Sequence, residues 1–338
     1  MTRKAAVTAY PLQAISASRE SGLTARAARL VCDGARSGGR ESKDIAQMQM
    51  VFHLGVHGTD GDRLLKTLLN NRDWLMQHGT DVITPNRHRG LFEEALMSLK
   101  GGLATAEMQQ IMLDAVLNSE SPDRAVFSTP TFMGAPGRAV GQTGLYPQMG
   151  ARAAALANLF PDHDVEFFLA IRNPATLIAE VLPIFTGGGY HVLMQGRHPL
   201  DLRWRDPVQA LLRAVPGRRV VVWCHEDVPL IWPEIARLAG NIPPDAPLKG
   251  GMMYLEEILD ETGLARLKEA LAAQDQLTIA RRRALSAQMI QAHALPAVLD
   301  QVVDLPGWTQ DLVDRVTAQY RADVAEIAVL PGVEFILP

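Results

Sequence analysis

Two places in this chain carry residue types that can hold an anion. One is the turn His57-Gly58-Thr59-Asp60-Gly61-Asp62-Arg63; the other is Arg172, which follows the apolar run 165–171. Small residues leave backbone N–H groups bare, arginine supplies charge, and a helix starting just after the turn adds a positive end. The turn also carries Asp60 and Asp62. A carboxylate at a helix start accepts the orphan N–H groups that a phosphate would use. The turn therefore has two readings: a cradle made by His57, Gly58, Thr59, Gly61 and Arg63, or a helix capped by its own aspartates. Arg172 is likewise an anion ligand or a surface residue of a strand–helix connection. Glu226 and Asp227, just past the run 219–224, can serve as acid or base, or as a helix cap. His53 and His57 sit on strand and turn, a spacing that does not suit a metal. There is no G-x-S-x-G, no H-E-x-x-H and no complete Walker sequence, and the last absence speaks against a kinase-like nucleotide enzyme.

The elements that must position these residues read as follows. The run 50–54 is a buried strand, and 63–77 carries Leu64, Leu65, Leu68, Leu69, Leu75 and Met76 at helical spacing. Further strands are expected at 80–84, 125–128, 165–171 and 219–224. Helices are expected at 91–99, 106–117, 151–160, 175–185, 207–215 and 231–239. The stretch 134–147 holds several glycines and prolines and reads as loop. From about 253 the chain reads as helical, with no clear strand until its end. Alternating strands and helices predict a central, mostly parallel sheet covered on both faces. Ligands of such sheets bind beyond the carboxyl ends of the strands. That brings 55–62, 128–134 and 172–176 to one rim, with 225–227 beside them.

Composition narrows the function. A net charge of −4 over 338 residues leaves no basic footprint for nucleic acid. No apolar run approaches the length of a membrane span. Cys32 and Cys224 stand far apart, in no metal or redox spacing, and a cytoplasmic location is the simplest expectation. Residues 1–47 are rich in Ala, Ser and Arg and show little apolar periodicity. They read as a poorly structured extension, a targeting segment or an early start, and are excluded from the fold. Residues 48–338 read as one domain.

At this point the order of elements resembles the bacterial sulfotransferase-like proteins, P-loop-like enzymes that use PAPS (3′-phosphoadenosine-5′-phosphosulfate). The resemblance rests on Phe52-His53-Leu54-Gly55-Val56-His57-Gly58-Thr59, Ala170-Ile171-Arg172-Asn173-Pro174 and Trp223-Cys224-His225-Glu226-Asp227-Val228-Pro229. The tail segments Tyr320-Arg321-Ala322-Asp323-Val324 and Leu330-Pro331-Gly332-Val333 extend it. It implies a three-layer P-loop-like α/β fold with a helical C-terminal third. It also implies a turn that holds the 5′-phosphosulfate, an Arg172 that meets the 3′-phosphate, and a carbohydrate or small-molecule acceptor. The departures are specific. Gly58 stands where the family has Lys or Arg, so Arg63 would have to replace that cation. Glu180 stands where a serine shares the 3′-phosphate, and Ser128-Thr129-Pro130-Thr131 replaces acidic and amide residues. Acidic groups oppose a site that must stabilise developing negative charge. The resemblance thus implies either a sulfuryl transferase with eroded phosphate sites or a repurposed, non-catalytic binding protein.

Overall fold

Strands that are apolar on both sides can be buried only inside a layered fold, and this chain arranges them so. The computed structural model describes residues 5–8 and 47–338. In chain order the strands are β1 (Ala5–Thr8), β2 (Gln49–His53), β3 (Thr80–Ile83), β4 (Arg124–Ser128), β5 (Val140–Gly141), β6 (Gly144–Leu145), β7 (Asp164–Ile171), β8 (Arg219–Cys224), β9 (Asp300–Val303) and β10 (Val333–Ile336). Six of them form one sheet in the order β10-β8-β7-β2-β4-β3, all neighbours parallel. The expected three-layer α/β fold is present.

Successive side chains of a strand point to opposite faces, so each strand divides its residues between two cores. Met50, Phe52, Phe127, Phe167, Leu169, Val220 and Val222 pack on one face, under the helices Pro85–Leu99, Met149–Leu159, Arg205–Ala214 and Gln310–Ile327. Val51, Val126, Phe168, Ala170, Val221 and Trp223 pack on the other, under Arg63–Asn70 and Val228–Gly240. A third, smaller core joins the helices Met253–Ile258, Glu261–Ala272 and Ile279–His293. This is the helical C-terminal third.

The chain leaves β2 for β3, returns to β4 between them, then crosses β2 to reach β7. β2 is therefore the point where the winding reverses, and the turn that follows it lies at the ligand crevice of such sheets.

Four expectations need correction. The stripe 63–77 is two helices, Arg63–Asn70 and Arg72–Gln77, because Asn71 breaks it. The Asn71 amide donates to the Thr67 and Lys249 carbonyls at 2.7 and 2.9 Å and accepts from the Lys249 N–H at 3.0 Å. The loop 134–147 contains the small hairpin β5–β6. The last third contains β9 as well as the terminal β10. Finally, Ala5–Thr8, within the segment excluded from the fold, pairs antiparallel with β9, Val7 opposite Gln301. The remaining readings on residues 1–46 lie outside the described residues.

Candidate functional site

β2, β4, β7 and β8 end at the same rim, because their registers set His53 beside Ser128 and Phe168, and Ile171 beside Cys224. The expected segments therefore do meet. Gly55, Gly58 and Gly61 all have positive φ, at 86°, 68° and 59°, which lets the chain fold back over the sheet before the helix Arg63–Asn70 begins.

Arg172 is buried and points at this turn. One of its Nη1 hydrogens bonds the Gly58 carbonyl. Nε donates to Thr176 Oγ1 at 3.0 Å, and Nη2 donates to Gln301 Oε1 at 2.9 Å and to Glu180 Oε1 at 3.4 Å. Its backbone carbonyl accepts from the Trp204 indole at 2.6 Å. Each nitrogen of the guanidinium is thus already engaged by the chain. Glu180 crowds the turn as well: a Cβ on Gly58 would stand 2.8 Å from Glu180 Cβ.

The aspartates divide. Asp60 is buried at 2 % exposure; its Oδ2 accepts the Leu64 N–H at 3.2 Å, and its carbonyl accepts the Arg63 N–H at 3.0 Å. It takes helix-start donors that an anion would need. Thr59 turns its hydroxyl inward, donating to the Val56 carbonyl at 2.6 Å. Asp62 is exposed and makes no side-chain cap; it lies 3.9 Å from Lys66. Arg63 touches the turn, Nη1 donating to the Asp60 carbonyl at 3.4 Å, but its charge is taken elsewhere. Its guanidinium is held bidentately by Glu257 at 3.1 and 2.7 Å and lies over the Tyr254 ring.

Beneath the turn, His53 shares a 2.8 Å hydrogen bond through Nδ1 with Ser128 Oγ, stacks on Trp223, and brings Nε2 to 3.7 Å from Asp60 Oδ1. Burial lowers its pKa and Asp60 opposes that shift. Ser, His and Asp in sequence suggest a nucleophile relay, but the second link is beyond hydrogen-bond length and all three residues are sealed from solvent. The trio holds the turn on the sheet. His57 stacks on Tyr146 and shares a 3.1 Å hydrogen bond with its hydroxyl; Tyr146 stacks on Trp204. Burial lowers the His57 pKa.

Glu226 and Asp227 are anchored rather than solvated. Glu226 accepts from the Asn173 N–H and the Tyr320 hydroxyl, both at 2.8 Å, tying the rim to the helix Gln310–Ile327. Burial raises its pKa; burial and then Glu226 push Asp227 up to about 7. His225 lies close enough to Arg172 and Arg63 that burial, then these charges, hold its pKa well below the usual value.

The structure thus gathers His57, Gly58, Thr59, Gly61 and Arg172, and pairs Arg63 with Glu257 at the edge of the turn. Gln301, Tyr146 and Trp204 are the partners that sequence reasoning missed; each comes from a distant segment with no local signature. As arranged, the crevice does not fit PAPS: Glu180 and Gln301 hold Arg172, Asp60 holds the helix start, and Glu257 holds Arg63. Among the described residues no group of His, Cys, Asp and Glu is placed to hold a metal, and no helix is long and apolar enough to cross a membrane.

No protein-family model matches this chain, and no curated protein matches it in sequence. Among solved structures, the chain is similar to a sulfotransferase from Alicyclobacillus acidocaldarius over 73% of its own length and 97% of that chain, with a TM-score of 0.34 and 12% identity. A likeness of that size assigns this chain neither a ligand nor a reaction.

Proposed function

We propose that this protein has a sulfotransferase-like fold repurposed for binding, without PAPS-dependent sulfuryl transfer. One observation carries the reading: Arg172, the residue that would meet the 3′-phosphate, is satisfied by Gly58, Thr176, Glu180 and Gln301 of its own chain. A ligand phosphate must displace these partners and then sit against the Glu180 carboxylate, which like-charge repulsion opposes.

The rival reading is sulfuryl transfer from PAPS to a carbohydrate or small-molecule acceptor. It is favoured by the exposure of the Glu180 side chain, 55 %, and by its long contact to Arg172. An exposed carboxylate swings away at little cost.

Calorimetry with PAP (3′-phosphoadenosine-5′-phosphate) separates the two. The expected result is no binding at this crevice at about millimolar ligand, a threshold of about −4 kcal/mol, so that Arg172→Ala changes nothing. Micromolar binding that disappears in Arg172→Ala establishes the rival reading.

A further inference from the structure

The geometry points to a separate oxyanion site, formed by Arg138 and Arg152 around Gly134 and suited to a small phosphate or sulfate monoester. Arg138 closes the short 3-10 turn Pro136–Arg138, and Arg152 lies in the first turn of the helix Met149–Leu159. Both lie against the same glycine. A Cβ on Gly134 would stand 3.0 Å from Arg152 Nη2 and 3.2 Å from Arg138 Cγ, so glycine at this position lets both arginine side chains close on the same point.

Several arginines around the sheet are neutralised by carboxylates. Arg63, Arg124, Arg203, Arg219 and Arg282 each pair with a carboxylate within 3.0 Å. Among the described residues, neither Arg138 nor Arg152 has a carboxylate within ion-pair distance. Arg152 Nη1 donates to the Phe132 carbonyl at 3.2 Å, while its buried Nε has no partner.

Burial, and then the charge of Arg138, lower the Arg152 pKa, and no anion offsets either effect. A tetrahedral oxyanion neutralises both charges and satisfies the idle Arg152 Nε–H, with bidentate geometry open to each arginine. The helix Met149–Leu159 has no acidic residue in its first turn and no side-chain cap, so its positive end is also unopposed. Beside Arg138, the Phe185 ring packs on Gly137 and Gly187, at 2.7 and 2.5 Å from the Cβ positions those glycines lack. This aromatic wall suits an ester with a flat or apolar substituent over a bare ion.

The test is calorimetry at low salt with inorganic phosphate, phenyl phosphate and phenyl sulfate. The proteins are the full chain, Arg138→Met, Arg152→Met and Arg172→Ala. We expect the full chain and Arg172→Ala to bind phenyl phosphate alike, and Arg138→Met to bind it about ten-fold more weakly. Arg152→Met should lose at least as much, and added salt should weaken all binding. Phenyl phosphate should bind better than inorganic phosphate because of Phe185. Absence of binding by the full chain, or undiminished binding by Arg138→Met, overturns the site. Arg138 is exposed, so its variant decides the matter even if Arg152→Met fails to fold. The site and the functional reading fail separately. PAP bound by Arg172→Ala but not by Arg138→Met locates the anion here and leaves the repurposed reading intact.

Discussion

His88 is the residue whose chemistry is most at odds with its surroundings. It is fully buried among Phe92, Phe127 and Phe132, and both ring nitrogens lack partners. Burial, with a smaller contribution from Arg89, lowers its pKa from 6.5 to about 4. Between those values the unfolded chain holds a proton that the folded chain refuses. The contribution of His88 to stability is therefore complete above pH 6.5, falls as pH drops, and levels off below about 4, a loss of roughly 3 kcal/mol. Replacing His88 with Phe should remove that slope and add about 1–3 kcal/mol at pH 7, by ending the burial of unpaired polar atoms. Urea unfolding at pH 7 and pH 5 measures both effects, and an unchanged slope in the variant would show that another group is responsible.

At the scale of elements, the rim is braced from both chain ends. β1 pairs with β9, and the Gln310 side chain binds both the N–H and the carbonyl of Ala6 at 3.0 Å. β9 in turn supplies Gln301 to Arg172. A strand far from the turn in sequence thus helps occupy the arginine, and a second strand steadies the first. Removing residues 1–8 should speed amide exchange in Asp300–Val303 while the six-stranded sheet stays protected, since local opening follows the loss of pairing. Exchange followed by mass spectrometry reads this directly. Unchanged protection of that segment would mean that β9 is held by its packing on the helix Pro174–Val181 instead.

Across the whole molecule the two rims of the sheet do different work. At the rim opposite the crevice, the buried Glu166 accepts from Arg124 at 2.9 Å and from Arg219 at 3.2 Å, while Arg219 also pairs with Glu334 at 2.8 Å. Arg124 adds bonds to the Ala239 and Leu238 carbonyls. This network joins β4, β7, β8 and β10 with the end of the helix Val228–Gly240. Glu166→Leu leaves a guanidinium buried without its counter-charge and should cost about 3–5 kcal/mol. Thermal unfolding measures the loss, and phenyl phosphate binding to the folded variant should be unchanged, because the network lies at the far end of the strands.

Sequence by itself determined the layers. Runs such as Met50 to Phe52 and Phe167 to Ile171 are apolar on both faces, and only a covered parallel sheet buries both. Glycines at 55, 58 and 61 marked the turn, and the rule that ligands gather beyond the carboxyl ends of parallel strands brought Arg172 to it. The competing readings of that turn stayed open because they differ only in what the side chains touch. Asp60 bonds the helix start, but so would a phosphate in its place. Arg63 has the residue type for a ligand, yet Glu257, almost two hundred positions later, takes it. Gln301 and Trp204 reach Arg172 from elements whose local sequences carry no trace of the contact, and Arg138 meets Arg152 only across Gly134. Hydrophobic periodicity is a local property and survives in the sequence. The pairing of one buried charge with another group depends on distance in space, and only the folded chain decides it.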